Sequence, residues 1–470
     1  MSISPPGPTG LGPVVRVLVL LVAGIGFLFD TYELLMFPVI GRDALSELLK
    51  VAPTDTAVKE WTGRLLWIAA LCGGVFGLLG GWLIDRLGRK TIMVASILAY
   101  SLSPVAAAFS TELWHLILFR CTTFIGVCVE LVAAVTWLAE LFDDKRSREK
   151  AIAWTLAMAS LGGILVTEVF IQIKGIANEL PALPVPEGSN AHAAWRYTLL
   201  TGLIPGALIL GLLPFVPESP VWRRKKQEGT LGRPSFGELF APALRRTTLV
   251  TTVLSACGYA AAFGALQLTP PAIVQGVPTV AAQTVEFDEK IKAAPPAEKK
   301  ALGEAKGKML QGYIGDIQRW QELGGLTGRI LLAILLMFIP SKWLIRLFLI
   351  PGVVLFPVAY LVLVKDDYTI FAMSIFFCGL LTVAQFSFIS EFLPRVFPMH
   401  LRGTGSSFAT NVGGRMIGTM AATLNTEVLS KQFDGPPAMQ VATAAAIIGG
   451  TVYAIALGMT FMLPTPKAEA

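Results

Sequence analysis

Histidine and cysteine are scarce in this chain of 470 residues, which contains only 3 His and 5 Cys. The cysteines all lie inside apolar runs and show neither metal-ligand spacing nor a disulfide framework. The histidines lie at the edges of apolar runs or between them, so we expect no histidine proton relay. No pairing of a nucleophile with a base appears either, so we expect neither an enzyme nor a bound metal or cofactor.

Charged residues are also few, at 15% of the chain against 54% hydrophobic residues, and the mean hydropathy is +0.64. A water-soluble protein of this composition would expose large apolar patches. Twelve mostly apolar runs of 18 or more residues divide the chain, and a helix that crosses ~30 Å of hydrocarbon needs about 20 residues. We therefore predict an all-α membrane protein with twelve transmembrane helices, at residues 14–39, 62–84, 91–110, 112–140, 149–173, 195–216, 247–270, 323–340, 343–364, 368–391, 405–430 and 438–463.

The formal net charge of +6 is concentrated in short connecting segments. Most of the Lys and Arg outside one long insertion lie at residues 85–90, 143–150, 223–246, 341–346 and 394–402. Because basic short loops stay on the cytoplasmic side of a membrane, this placement predicts that both termini are cytoplasmic. It also explains the positive charge without a nucleic-acid partner. Residues 1–13 lack a cleavage signal, so we expect the first run to be an uncleaved anchor.

Two longer segments divide the predicted helices into halves. We predict a cytoplasmic tail, a six-helix bundle, a cytoplasmic linker, a second six-helix bundle and a final tail, at residues 1–13, 14–216, 217–246, 247–463 and 464–470. The second bundle contains an extracytoplasmic insertion at 276–322. From Ala297 onward the insertion is rich in Ala, Lys and Glu, which favours a helix that continues into the eighth span. We expect the insertion to form a solvated cap over the outer mouth.

The loop after the second apolar run has a distinctive spacing of glycine, acid and base: Gly81, Asp85, Arg86, Gly88, Arg89 and Lys90. Its glycines permit a sharp turn and close helix contact. This loop resembles that of the major facilitator superfamily, and the resemblance implies twelve helices in two bundles with a latch between them. Glu140 and the second basic turn at 143–150, which contains Arg146, are expected to cooperate with the latch. After the eighth span only Lys342 and Arg346 remain, so a second latch there would be weak.

Acidic residues within the first and fourth spans narrow the resemblance. Asp30 and Glu33 are three residues apart and share a helix face. Arg120, Glu130 and Glu140 follow at intervals of ten residues, which is ~15 Å of helical rise, so Glu130 is expected near the middle of the membrane. Ionisable groups at this depth are functional candidates. Alternatively, Asp30 pairs with an arginine for structural reasons, and Arg120 serves helix packing.

This pattern resembles the metabolite:proton symporters, which include carriers of phosphate and organic acids. The resemblance implies that Glu130 relays protons with help from Asp30 and Glu33, and that Arg120 binds substrate or pairs with the acids. It also extends to the tenth loop and the eleventh span, where Glu391 and Arg402 would belong to the gate.

A further arginine, Arg415, lies ten residues past Gly405 and hence ~15 Å into the bilayer. An unpaired arginine at this depth is costly, so it meets either a carboxylate of the protein or an anionic substrate. Gln267, Gln385 and Asn411 are further candidates for the pocket, although amides in membrane helices often join helices instead. Glu168 and Arg329 are expected near the outer ends of their spans, where long side chains reach the surface.

The sequence thus predicts a secondary active transporter that uses the proton gradient to carry a small metabolite, most plausibly an organic anion, by alternating access. We expect a monomer in the inner or plasma membrane. Three alternatives are a sugar or polyol carrier, a drug exporter, and a non-transporting sensor that uses the insertion at 276–322.

Overall fold

The computed structural model describes residues 12–53, 55–142, 145–229, 235–336, 338–398 and 401–464. These residues form helices and connecting turns, and the described part of the chain contains no strand. The first half comprises α1 (Pro13–Leu49), α2 (Thr56–Leu87), α3 (Arg89–Ala108), α4 (Leu113–Leu141), α5 (Lys145–Ile176), α6 (Ala194–Leu200) and α7 (Leu203–Leu212). The linker contains the short helix α8 (Pro220–Gln227).

The second half begins with α9 (Arg245–Gly264), which irregular turns extend to Gly276. The remaining helices are α10 (Pro278–Ala293), α11 (Pro296–Leu335), α12 (Ser341–Leu361), α13 (Tyr368–Val396), α14 (Arg402–Ser407), α15 (Ala421–Thr423) and α16 (Pro437–Thr460). Between α14 and Gln432 the chain continues through wide π-helical turns at Phe408–Ile417 and Leu424–Leu429. We call residues 402–432 the eleventh span.

Twelve helical crossings are therefore present, as the hydropathy of the sequence predicts. Within the described residues, nine helices are long and apolar enough to be identified as spans by those properties alone. The other three are the sixth and eleventh spans, which are interrupted, and α11, which begins in the polar insertion. The sixth span breaks between α6 and α7 because Pro205 has no N–H to donate to the carbonyl of Thr201. At the other extreme, α1 continues ten residues past its predicted end at residue 39.

Each half packs mainly on itself, and two pairs of helices join the halves. In the first half α1 packs against α5, and α3 against α4. In the second, α11 packs against α13, and α12 against α16. Between the halves, α2 lies along the eleventh span and α5 lies against α11. A site between the halves is thus bordered by helices from both.

The insertion does not stand apart from the bundles as a cap. Its second helix, α11, runs without a break from Pro296 into the membrane and contacts the first half on the way. Gln311 Nε2 donates to Asp43 Oδ1 at 2.9 Å. Just over two turns further on, Arg319 Nη2 donates to Glu168 Oε2 at 2.8 Å. The helix that the Ala, Lys and Glu composition predicts is therefore also a contact between the halves.

Two more ion pairs join the halves on the side that bears the insertion. Arg64 Nη2 of α2 donates to Glu427 Oε2 of the eleventh span at 2.9 Å. Lys431 Nζ of the eleventh span lies 2.6 Å from Glu60 Oε1 of α2. Exposed pairs of this kind contribute little individually, typically below about 1 kcal/mol. Together with the α11 contacts, they hold this side of the molecule closed.

Close packing of α3 on α4 gives a direct test of the fold. A Cβ atom on Gly126 would lie 2.6 Å from the main-chain oxygen of Ser96. We expect Gly126→Ala to lower thermal stability, because overpacking typically costs about 1–3 kcal/mol. Gly307→Ala is the matched control, since a Cβ there meets no described heavy atom within 4 Å and alanine favours helix by about 1 kcal/mol. Thermal unfolding of both variants in detergent provides the measurement, and equal midpoints would contradict this packing.

Candidate substrate and proton site

The central feature of the site is a carboxylate from the first half that faces two guanidinium groups from the second. Asp30 lies on α1, and its charge interacts with those of Arg415 in the eleventh span and Arg329 on α11. Its Oδ1 atom is buried and accepts no hydrogen bond from the described residues. Opposite charges from the two halves therefore interact here.

Arg415 is held in place by several acceptors. Its Nη1 donates to Asn411 Oδ1 at 2.8 Å and to the main-chain oxygen of Cys128 on α4 at 3.4 Å. The guanidinium also interacts electrostatically with the Tyr259 hydroxyl of α9. Asn411 is oriented in turn, because its Nδ2 donates to Ser407 Oγ at 2.9 Å. The guanidinium is thus fixed at the seam between the halves, with Arg415 only 4% exposed.

Glu130 lies behind Asp30, within the first half. It is 0% exposed, and neither carboxyl oxygen accepts a hydrogen bond from the part of the chain that the structure describes. Room for it exists because α1 has a glycine opposite: a Cβ on Gly26 would lie 2.6 Å from Glu130 Oε1. Its charge interacts with those of Asp30 and Arg415. A carboxyl without donors favours its neutral form, so Glu130 is suited to hold a proton.

Glu33 and Arg120 lie deeper in the first half and do not form a direct side-chain pair among the described contacts. Arg120 Nη1 donates to the main-chain oxygen of Glu33 at 3.1 Å. Its guanidinium lies over the rings of Phe37 and Phe124, at 5.6 and 5.0 Å. The Glu33 carboxyl packs against Gly202 of the interrupted sixth span. Although Asp30 and Glu33 are three residues apart, only Asp30 reaches the seam.

Two residues of α11 interact with this cluster although neither was predicted to lie in the site. Arg329 was expected to reach the membrane surface, which is wrong: its guanidinium interacts electrostatically with the carboxyls of Glu322 and Asp30 and with Tyr259. Glu322, assigned to the polar insertion, is only 6% exposed. The two lie seven residues apart, which is two helical turns and hence one face. The seven-residue spacing is the feature of the sequence from which this shared face could have been predicted.

The three amide candidates have different surroundings. Asn411 is 0% exposed and supports Arg415 directly. Gln385 of α13 donates through Nε2 to the main-chain oxygen of Leu381 at 3.3 Å. Gln267, in the irregular turn after α9, is 6% exposed, and its Oε1 accepts no hydrogen bond from a described residue. Of these amides, the structure brings only Asn411 into contact with the charged cluster.

The latch loop is built around Gly88, whose φ of 103° is readily adopted only by glycine. Beyond this turn, Lys90 N donates to Glu218 Oε2 at 3.0 Å, and Arg89 Nη2 donates to Glu140 Oε1 at 2.9 Å. These contacts join the loop to α4 and the linker within the first half. Arg86 is exposed, and Gly81 faces Ser407 of the eleventh span. The side chains of Asp85, Arg146, Glu391 and Arg402 lie outside the described residues.

Comparison with known proteins gives one family and a consistent set of relatives. Residues 17–250 match the family model described as "Sugar (and other) transporter". A probable 4-methylmuconolactone transporter of Cupriavidus pinatubonensis is 26% identical, over 83% of this chain and 78% of that protein. The sialic acid transporter NanX of Escherichia coli is 22% identical, over 85% of this chain and 84% of that protein. A D-xylose-proton symporter structure, 17% identical, aligns with a TM-score of 0.63 over 96% of this chain and 99% of that one.

Proposed function

Because the chain is a transporter of the major facilitator superfamily, we propose that it carries a small organic anion across the membrane together with protons. The observation that carries this proposal is the electrostatic interaction of Asp30 on α1 with Arg415 and Arg329, which both belong to the other half. Arginine's planar fork suits carboxylate groups, whether they belong to the protein or to a substrate. Asp30 thus occupies the place that an anionic substrate would take.

Coupling follows from the cost of unbalanced charge in a buried site. An unpaired buried ion costs several kcal/mol. A substrate carboxylate entering beside ionised Asp30 would add excess negative charge, whereas protonation of Asp30 alone would leave the arginines without a counter-charge. The two events together keep the balance, because the substrate replaces Asp30 as the partner of Arg415. Proton and anion are therefore expected to bind together.

Glu130 serves as the proton reservoir in this scheme. It lies next to Asp30 and has room on the α1 side at Gly26. When substrate arrives, the proton on Glu130 passes to Asp30 and Glu130 takes another proton from solution; when substrate leaves, Asp30 releases a proton. Glu33, which packs on Gly202 within the first half, is assigned a supporting role only. Arg120, which holds the main chain of Glu33, is assigned a structural role.

The anion is favoured over a neutral sugar by the two guanidinium groups that face Asp30. Among the relatives, the sialic acid transporter is named for an organic acid. The second candidate is a sugar or polyol carrier, which the D-xylose-proton symporter and the buried Oε1 of Gln267 support. Uptake of a neutral hexose that survives removal of the Glu130 charge would decide for that candidate. Uptake in the energised direction would separate both from a drug exporter.

The setting of this function is also proposed. The basic loops at 85–90 and 223–246 would face the cytoplasm, which leaves the insertion outside, and the protein would act as a monomer in the inner or plasma membrane. In that orientation, the ion pairs Arg64–Glu427 and Glu60–Lys431 close the outer side.

The role of Glu130 is tested by its neutral analogue. We expect Glu130→Gln to abolish proton-driven accumulation in liposomes while it spares exchange of substrate, because glutamine keeps the shape of the side chain and cannot release a proton. Glu179→Gln is the control, since Glu179 is exposed. Accumulation of carboxylic acids under an imposed pH gradient, followed by counterflow, supplies both readouts. Unchanged accumulation would remove Glu130 from the mechanism.

The support of Arg415 by Asn411 is tested separately. We expect Asn411→Ala to weaken anion affinity by roughly tenfold or more, because a hydrogen bond to a charged group contributes about 1.5–3 kcal/mol. Asn425→Ala is the matched control: Asn425 is also 0% exposed in the eleventh span, but its Nδ2 donates to the main-chain oxygens of Gly264 and Val441. The control should lower thermal stability and leave affinity unchanged. Equal loss of affinity in both variants would assign Asn411 to packing.

A further inference from the structure

Glu322 lies where the two halves touch, just inside the outer closure. It projects from α11 of the second half towards α5 of the first, where a Cβ on Gly163 would lie 2.5 Å from its carboxyl carbon. A larger residue at position 163 would have to displace this carboxyl. Arg319, three residues earlier on α11, forms the ion pair with Glu168 of α5 that closes the seam above it. A carboxyl group is thus enclosed by the contact between α5 and α11.

Two amide donors hold the Glu322 carboxyl. Gln318 Nε2 and Gln321 Nε2 donate to Oε1 at 2.9 and 3.2 Å. Both glutamines are buried, at 0% and 2% exposure. Both glutamines belong to α11, so they move with Glu322 whenever the halves separate. Gly163 belongs to α5, so it moves away from the carboxyl when the halves separate.

The charged groups around Glu322 likewise lie either on its own helix or across the seam. Arg329, whose charge interacts with the carboxyl, lies on the same helix as Glu322, so its effect persists in either state. Across the seam, α5 brings Glu168, which is paired with Arg319, and α1 brings Asp30, which faces Arg329. From α13, the segment that contacts Gln321 is the uncharged Gly379. Opening of the seam therefore mainly replaces the contact between α5 and the carboxyl with water.

We propose that Glu322 is an additional proton-binding residue whose protonation closes the outer side of the transporter. Packing of Gly163 against the carboxyl removes water and so disfavours its charged form, whereas separation of α5 from α11 restores hydration. Closure therefore strengthens proton binding at Glu322. By linkage, a bound proton stabilises the closed state by the same free energy. This proposal rests on the alternating access proposed above, and it assigns to α11 a proton site distinct from Asp30 and Glu130.

The test follows opening at the same seam without any substrate. Thr167 is 0% exposed on α5, one turn outward from Gly163, and packs against Gly315 of α11. In a Thr167→Cys variant, separation of α5 from α11 exposes the new thiol to a polar maleimide. Labelling is measured in nanodiscs at acidic and alkaline pH and normalised to the denatured protein, with the native chain as the blank for its five cysteines. We expect labelling to be about tenfold faster at alkaline pH, as linkage to one titrating group allows.

Glu322→Gln in this background replaces the carboxyl with a neutral amide of nearly the same shape. The seam should therefore stay closed, and labelling should be slow at every pH. Glu168→Gln is the control at the same seam, because it breaks the pair with Arg319 and should speed labelling while the pH dependence remains. Glu130→Gln should also retain that dependence. The proposal is overturned if pH dependence is absent from Thr167→Cys, persists in Glu322→Gln, or is lost in either control. A loss of proton-driven transport by itself leaves these labelling outcomes unaffected.

Gly163→Ala provides a second variant should Glu322→Gln fail to fold. Its Cβ has no space beside the Glu322 carboxyl in the closed state, so labelling should be fast at both pH values. Labelling as slow as in the Thr167→Cys parent would show that the seam does not enclose Glu322 and would overturn the proposal.

Discussion

The balance of charge between Asp30 and the two arginines of the second half is the constraint on which the rest of the structure depends. A buried ion is tolerated only when an opposite charge or several donors compensate it. Here the compensation crosses the seam between two bundles, since Asp30 belongs to α1 and its partners Arg415 and Arg329 belong to the eleventh span and α11. Any rearrangement of the halves must therefore supply new partners for these groups, and protons and anions are the partners that a membrane transporter has available.

The same helices that carry the charges also close the molecule. The α11 helix contributes Arg329 to the central cluster and Arg319 to the outer ion pair with Glu168. The eleventh span contributes Arg415 to the cluster and Glu427 to the outer pair with Arg64. Because each helix is a continuous or nearly continuous element, occupancy of the site and contact at the outer side are mechanically connected. Ion pairs that are individually weak can hold such a closure without preventing its opening.

Hydropathy predicted the twelve crossings because each must bury its backbone in lipid, and that requirement is visible in composition. Composition does not reveal where a span is interrupted: the sixth span is broken because Pro205 lacks a backbone donor. The direction in which each charged side chain points was harder to predict. Asp30 and Glu33 share a face by spacing, yet Gly202 accommodates Glu33 inside the first half. Arg329 was misplaced because depth in the membrane does not reveal which neighbour a side chain meets, and that depends on packing between distant segments.

Proton uptake on substrate binding tests the central claim most directly. Purified protein in weakly buffered detergent solution, with a pH indicator, is mixed with a panel of carboxylic acids. Exchange of the counter-charge at Arg415 predicts that binding draws protons from solution in the native protein, and that Asp30→Asn binds the anion without drawing them. Binding by the native protein with no proton uptake would contradict the account.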